Sequence, residues 1–233
     1  MLLHRKGIRI GVQTWENILF VHWPVDERVL RPLVPKPFKI NKWDGSAWLS
    51  AVAFTAKNTR LRKTPSLMAY PDFAQLNLRT YVNFGKEEGI FFLSIQSNDP
   101  FVVKTGKVAG LPFEAGKIDW QFKNHETVLH CLNDQKDRKL SLSYKGSHLP
   151  FNPMRESLDY FLTEKYCIWM IKGKNILKLP ISHLPWTLQR VDVEIMEGSL
   201  ISQFISMNEK PVAHYSRFMT AYVHPYERFG IYH

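Results

Sequence analysis

Cysteine is scarce in this 233-residue sequence. Cys131 and Cys167 stand in apolar neighbourhoods with no C-x-x-C spacing, which argues against a disulfide framework or a thiolate zinc site. They read instead as small buried hydrophobes in a reducing, cytoplasmic setting. No run approaches the roughly 20 apolar residues that a bilayer span requires. The opening Met1-Leu2-Leu3-His4-Arg5-Lys6 has no apolar stretch behind its basic residues, so nothing in it addresses the chain to a membrane or for export. Also missing are H-E-x-x-H, a G-x-G-x-x-G after a strand, the phosphate loop G-x-x-x-x-G-K-[ST] and the nucleophile elbow G-x-S-x-G. No cofactor or metal is expected. Neither a repeat, a low-complexity tract nor a long linker divides the chain, and residues 1–233 read as a single domain.

Charge is abundant, and of one sign: the formal net charge is +10. Clustered lysine and arginine would suit a phosphate backbone, but only Lys57-Asn58-Thr59-Arg60-Leu61-Arg62-Lys63 and Lys136-Asp137-Arg138-Lys139 are dense. Both read as solvated loops. With no zinc finger, helix-turn-helix or RNA-binding signature beside them, nucleic acid is excluded as a partner and an anionic small molecule is the milder use of the charge.

The sequence is rich in apolar and aromatic residues, 45% and 13%, enough for one sizeable core. Several segments alternate with the period of two that marks a strand with one buried face. In Leu76 to Phe84, Leu76, Leu78, Val82 and Phe84 share one face while Asn77, Arg79, Tyr81 and Asn83 share the other. Ile118 to Lys123, Leu140 to Tyr144 and Val191 to Ile195 alternate likewise. Gly89 to Ile95, nearly all apolar, suits a strand buried on both faces, and Ala47 to Thr55, Phe101 to Val108 and Tyr215 to Val223 are rich in strand formers. Two stretches predict helices: Asp26 to Val34, entered after Pro24 and stopped by Pro35, and a second opened by the cap Asn152-Pro153 that carries Met154, Leu158, Phe161, Leu162 and Tyr166 on one stripe. The fold predicted is mainly β, of the α+β class: a curled antiparallel sheet, closed as a cone or barrel, with a few packed helices.

Several motifs go beyond pattern. Trp15-Glu16-Asn17-Ile18-Leu19-Phe20-Val21-His22-Trp23-Pro24-Val25, Asn77-Leu78-Arg79-Thr80-Tyr81-Val82, Leu111-Pro112-Phe113 and His183-Leu184-Pro185-Trp186-Thr187-Leu188 resemble corresponding stretches of the YqjF-like family of uncharacterised bacterial proteins, over nearly the whole chain. Leu30-Arg31-Pro32-Leu33-Val34-Pro35-Lys36-Pro37-Phe38-Lys39-Ile40 and Gly106 to Glu114 are similar, more distantly, to two stretches of the acetoacetate decarboxylases. That resemblance implies a cone of antiparallel strands around a central cavity. It also locates the decarboxylases' imine-forming lysine and the lysine beside it at Phe113 and Glu114, and their glutamate at about Gln75. Phenylalanine forms no imine, a neighbouring carboxylate raises rather than lowers a lysine pKa, and glutamine is no general acid or base. Schiff-base decarboxylation is therefore rejected.

A polar set on the expected cavity side remains. Arg79 and Lys107 are cations for a carboxylate or phosphate, Tyr81, Asn77 and Gln75 add hydrogen-bonding groups, and Phe113, His22 and Trp186 complete the expected ligand site. Glu114 is the candidate general acid/base. His22 and His183 lie in aromatic-rich turns, where a satisfied core histidine is the commoner outcome. Two functions stay open: a binder or sensor holding a small anionic or aromatic organic compound, and an enzyme of hydratase, aldolase or isomerase type using Glu114 with Arg79 and Lys107. Contacts between copies in a homo-oligomer are a third role left open.

Overall fold

The computed structural model describes residues 8–62, 70–123, 126–146, 149–206 and 209–232. The opening Met1 to Lys6 and the last lysine of the first basic run, Lys63, lie outside them. In chain order the elements are β1 (Gly11–Val25), α1 (Glu27–Leu30), β2 (Lys39–Ile40), β3 (Ala47–Leu61), β4 (Phe73–Phe84), β5 (Glu87–Ser97), α2 (Pro100–Ala109), β6 (Phe113–Lys123), β7 (Glu126–Asn133), β8 (Arg138–Gly146), α3 (Leu158–Thr163), β9 (Cys167–Lys172), β10 (Asn175–Ser182), β11 (Gln189–Glu197), β12 (Val212–Val223) and β13 (Glu227–Ile231).

The strands close on themselves. β5, β6, β7, β8, β11, β12, β1, β3 and β4 form a nine-stranded barrel, antiparallel except where β5 meets β6. A second closure runs from β5 through β9 and β10 to β12. The strands β12, β1, β3, β4 and β5 belong to both and form a shared wall with a buried surface on either side. On one side Leu19, Val21, Leu49, Ala51, Leu76 and Leu78 pack with Ile118, Leu129, Leu140 and Leu142 of β6 to β8. On the other, Tyr81 and Trp48 pack with Ile168, Leu179 and the α3 residues Phe161 and Leu162. The alternation in β4 is therefore real, yet its polar face is not solvated: every residue from Leu76 to Val82 is buried. Gly89 lets β5 approach β9, since a Cβ there would lie 2.6 Å from Cys167 Sγ. Among the described residues no helix is long and apolar enough to cross a membrane.

The helices differ from expectation. The Asp26 to Val34 helix contracts to α1, capped by the Asp26 carboxylate on the Arg28 N–H. Beyond it the Arg31 guanidinium donates to the carbonyls of Val34, Pro35 and Phe38 and folds the proline-bounded segment into turns. The cap at Asn152 fails: α3 starts after Ser157, whose hydroxyl accepts from Tyr160 N, while Asn152 Nδ2 donates to the Trp186 carbonyl at 2.7 Å. The Phe101 to Val108 segment is not a strand but α2, with Asp99 as N-cap, Pro100 in the first turn and Gly110 ending it at φ 92°. Lys57 to Leu61 extends β3 rather than forming a loop, whereas Lys136 and Asp137 sit in the β7–β8 turn.

Candidate functional site

Strand register builds the site. His22 of β1 faces Ser50 of β3, which faces Arg79 of β4. In the next row of the same face, His214 of β12, Phe20, Val52 and Asn77 stand side by side. Residues two apart on a strand share a face, so Tyr81 and Trp48 belong to it as well. Helix α3 and the turn that follows cover this face.

The polar groups here are linked but under-satisfied. Ser50 Oγ lies 2.6 Å from His22 Nδ1 and 2.7 Å from the Tyr81 hydroxyl, which donates to the Leu162 carbonyl at 2.8 Å. The same carbonyl receives a long 3.3 Å hydrogen bond from Arg79 Nη2, and Tyr81 is a further polar partner of the guanidinium. Arg79 is 8% exposed, and among the described residues its Nε has no partner; nor do His22 Nε2, Asn77 Oδ1, His214 Nδ1 and Trp48 Nε1. Among the described residues no aspartate or glutamate pairs with Arg79. Burial lowers its pKa against a raising contribution from Tyr81, and an arginine guanidinium stays charged in proteins. Burial also holds His22 well below 6.5, with repulsion from His214 and Arg79 adding to it, so this imidazole is neutral at pH 7.

Three partners at this face carried no signal in the sequence pattern. His214 Nε2 contacts Asp159 of α3 at 2.9 Å, and Asp159 pairs with Arg190 at 2.6 Å; hydrogen bonding from His214 is the main cause that holds the Asp159 carboxyl below its usual range. Lys165, its side chain 5% exposed, has its amine 4.5 Å from the centroid of the Phe161 ring and 5.9 Å from that of Tyr81. Burial lowers its pKa, opposed by a 2.8 Å ion pair with Glu88. Among the described residues no three His, Cys, Asp or Glu side chains gather as a metal site would require.

Of the residues expected at the site, Arg79, Tyr81, Asn77 and His22 come together. Gln75 lies two residues from Asn77 on the same face, half-buried. Trp186 packs edge-on against Phe20, ring centroids 5.0 Å apart, and spends its indole N–H on the Thr163 carbonyl and its backbone N–H on Glu164. His183 stacks on Tyr166 with centroids 4.8 Å apart, Nδ1 bonded to the Leu184 carbonyl, and burial lowers its pKa. Phe113 pairs with Ile95, which pairs with Asn77, so it belongs to the same side of the wall. Its ring fills the space beneath α2 so closely that a Cβ on Gly106 would sit 2.2 Å from it.

Glu114 and Lys107 do not join this group. Glu114 pairs with Gln96, and Gln96 with Leu76, so one residue of offset turns Glu114 to the opposite side of the wall. There it holds Lys136 at 2.5 Å, Asn133 and Gln96. Burial would raise its pKa, but these hydrogen bonds outweigh burial and hold the carboxyl below its usual range. An ionised, paired glutamate is no general acid at neutral pH. Lys107, exposed on α2, lines a cavity with Glu114 that does not include Arg79. The expected convergence of Arg79, Lys107 and Glu114 is thus replaced by two separate places.

Residues 12–220 match the model of the family DUF2071, described as an uncharacterized conserved protein. The chain belongs to this family. It is 32% identical to the uncharacterized protein YqjF of Bacillus subtilis (strain 168) over 216 residues, 91% of this chain and 89% of that one. Among solved structures it is similar to the enduracididine biosynthesis enzyme MppR complexed with pyruvate, with a TM-score of 0.68 at 10% identity over 96% of this chain and 91% of that one. Acetoacetate decarboxylase of Legionella pneumophila subsp. pneumophila str. Philadelphia 1 superposes with a TM-score of 0.65 at 14% identity, over 100% and 93% of the two chains. For an acetoacetate decarboxylase-like enzyme of Sphingomonas wittichii RW1 the values are 0.67, 12%, 96% and 94%. At such identities the likeness is one of fold, and this DUF2071 chain has the acetoacetate-decarboxylase-like fold.

Proposed function

We propose that the protein binds a small organic acid on the α3-covered face of the shared wall, with the carboxylate on Arg79 and the organic body among Phe20, Tyr81 and Phe161. The observation that carries this is a buried guanidinium whose hydrogen bond to the Leu162 carbonyl is long and which, among the described residues, has an unpartnered Nε and no carboxylate counter-ion. A charge taken out of water without a partner costs several kcal/mol in round terms, about the amount that a bound carboxylate in bidentate contact offsets. Neutral His22 and Asn77, each with an unpartnered atom on the same face, supply further hydrogen bonds to a polar ligand. The fold neighbour MppR, solved with pyruvate, supports the same ligand class. Glu114 takes no part in this reading, because it lies across the wall.

The test is a thermal-shift series with small carboxylates, pyruvate and benzoate among them, against uncharged amides of the same shape. Carboxylates raise the Tm by mass action on the native state. Arg79→Ala, checked by circular dichroism for its fold, abolishes the shift, and Arg79→Lys restores part of it because the point charge remains and the planar fork is lost. Equal shifts from the amides, or an undiminished shift in Arg79→Ala, overturn the reading.

A further inference from the structure

The second closure of the sheet leaves a gap. β5 registers with β9 only at Ile90 and with β6 only from Ile95 to Ser97, both in parallel. Between these points residues 91–94 have no partner strand on that edge, because β9 leaves before β6 arrives. The apolar run expected to be buried on both faces is accordingly half-exposed at Phe91, Phe92, Leu93 and Ser94. The gap opens into a cavity of about 690 Å³ on the Glu114 side of the wall, within the range of small-molecule sites, roughly 300–1,000 Å³.

We infer that this cavity binds an amphipathic monocarboxylate with an extended hydrocarbon tail, at a site separate from Arg79. The tail has apolar walls in Phe91, Leu93, Ile171 and Phe204, all packed at the edge of the main core and partly open to solvent. The head has two cations in the lining, Lys107 and Arg138. Glu114, the one acid of the lining, is already neutralised by Lys136. Among the described residues Lys107 and Arg138 form no ion pair, so the lining carries an unbalanced positive charge beside an apolar wall. A short carboxylate would leave that wall wet, and a cation with the same tail would meet like charge. The complement of both features is an anion at the end of an alkyl chain, and charge pairing at the rim sets its orientation. The inference is independent of the proposal at Arg79.

Isothermal titration calorimetry with decanoate tests it, with butyrate as the head without the tail and decyltrimethylammonium as the tail with the opposite charge. In Arg79→Ala, which removes the other carboxylate site, decanoate is expected to bind saturably at one site and the two controls not to bind. Lys107→Glu with Arg138→Glu, both on the surface of the cavity, weakens decanoate by roughly tenfold or more, while Arg79→Ala leaves it unchanged. Absence of decanoate binding, equal binding of decyltrimethylammonium, or an undiminished affinity in the charge-reversed variant overturns the inference. Loss of decanoate binding in Arg79→Ala also overturns it, by placing the bound chain at Arg79.

Discussion

The two faces of β4 stand one residue apart and do opposite things. Leu76, Leu78 and Val82 bury hydrocarbon against β6 to β8 and contribute stability. Asn77, Arg79 and Tyr81 are equally withdrawn from water, yet two of the three keep an unpartnered polar atom. Burial alone does not separate a core from a site; what separates them is whether the buried groups are content. The apolar face is complete in the free protein. On the proposed reading the polar face costs stability until a ligand supplies the partners it lacks among the described residues.

Three measurements sharpen or break this contrast. The largest effect belongs to the apolar face: Leu76→Ala, at a fully buried position, is expected to lower stability by about 3 kcal/mol in urea unfolding. A loss well under about 1 kcal/mol would mean the wall repacks and is less tightly specified than described. Across the strand the sign reverses. Arg79→Met removes an unpaired buried cation while keeping an unbranched chain, and should stabilise the ligand-free protein by about 1–4 kcal/mol, the range seen when buried ionic groups yield to apolar ones. Destabilisation of similar size would show that Arg79 is satisfied as it stands. The smallest effect is a slope. His22 has a folded pKa well below 6.5, so below pH 6.5 the unfolded state takes up a proton that the folded state refuses. Its contribution is fully present above pH 6.5 and is lost as pH falls, by up to about 1.4 kcal/mol per pH unit. His183 is lowered in the same direction. His22→Gln should therefore flatten the fall in urea midpoint between pH 7.5 and pH 5 without removing it. An unchanged pH profile would detach His22 from the polar face.

The alternation along Leu76 to Phe84 located both faces of β4 and brought together from sequence much of the candidate site: Arg79, Tyr81, Asn77 and, through its aromatic setting, His22. It could not say that the polar side is buried, because alternating polar residues are the same signal whether they meet water or a covered interior. Ser50 stayed hidden in the apolar run Ala47 to Thr55, and Asp159 and Lys165 were legible only through α3, which brings them in from far along the chain. Glu114 was misplaced by a parity that only the β5–β6 register decides. The strand expected at Phe101 to Val108 followed its β-branched residues, although Asp99-Pro100 opens it with the same start chemistry credited to Asn152-Pro153 and Gly110 closes it. At Asn152 the cap was spent on the Trp186 carbonyl, a tertiary contact that local rules do not anticipate.

The pairing of β1 with β12 joins Gly11 to Val223 and His22 to Val212, nearly the two extremes of the described chain. Contacts of such long sequence separation form late and slowly, since the loop-closure entropy comes before the reward. A nascent chain that has not yet released β12 from the ribosome holds β1 with one edge bare, an invitation to pairing with other chains. It also lacks His214, the partner of Asp159. The wall and the polar face therefore mature in the same late event, and a protein stalled before residue 212 should be both aggregation-prone and without its site.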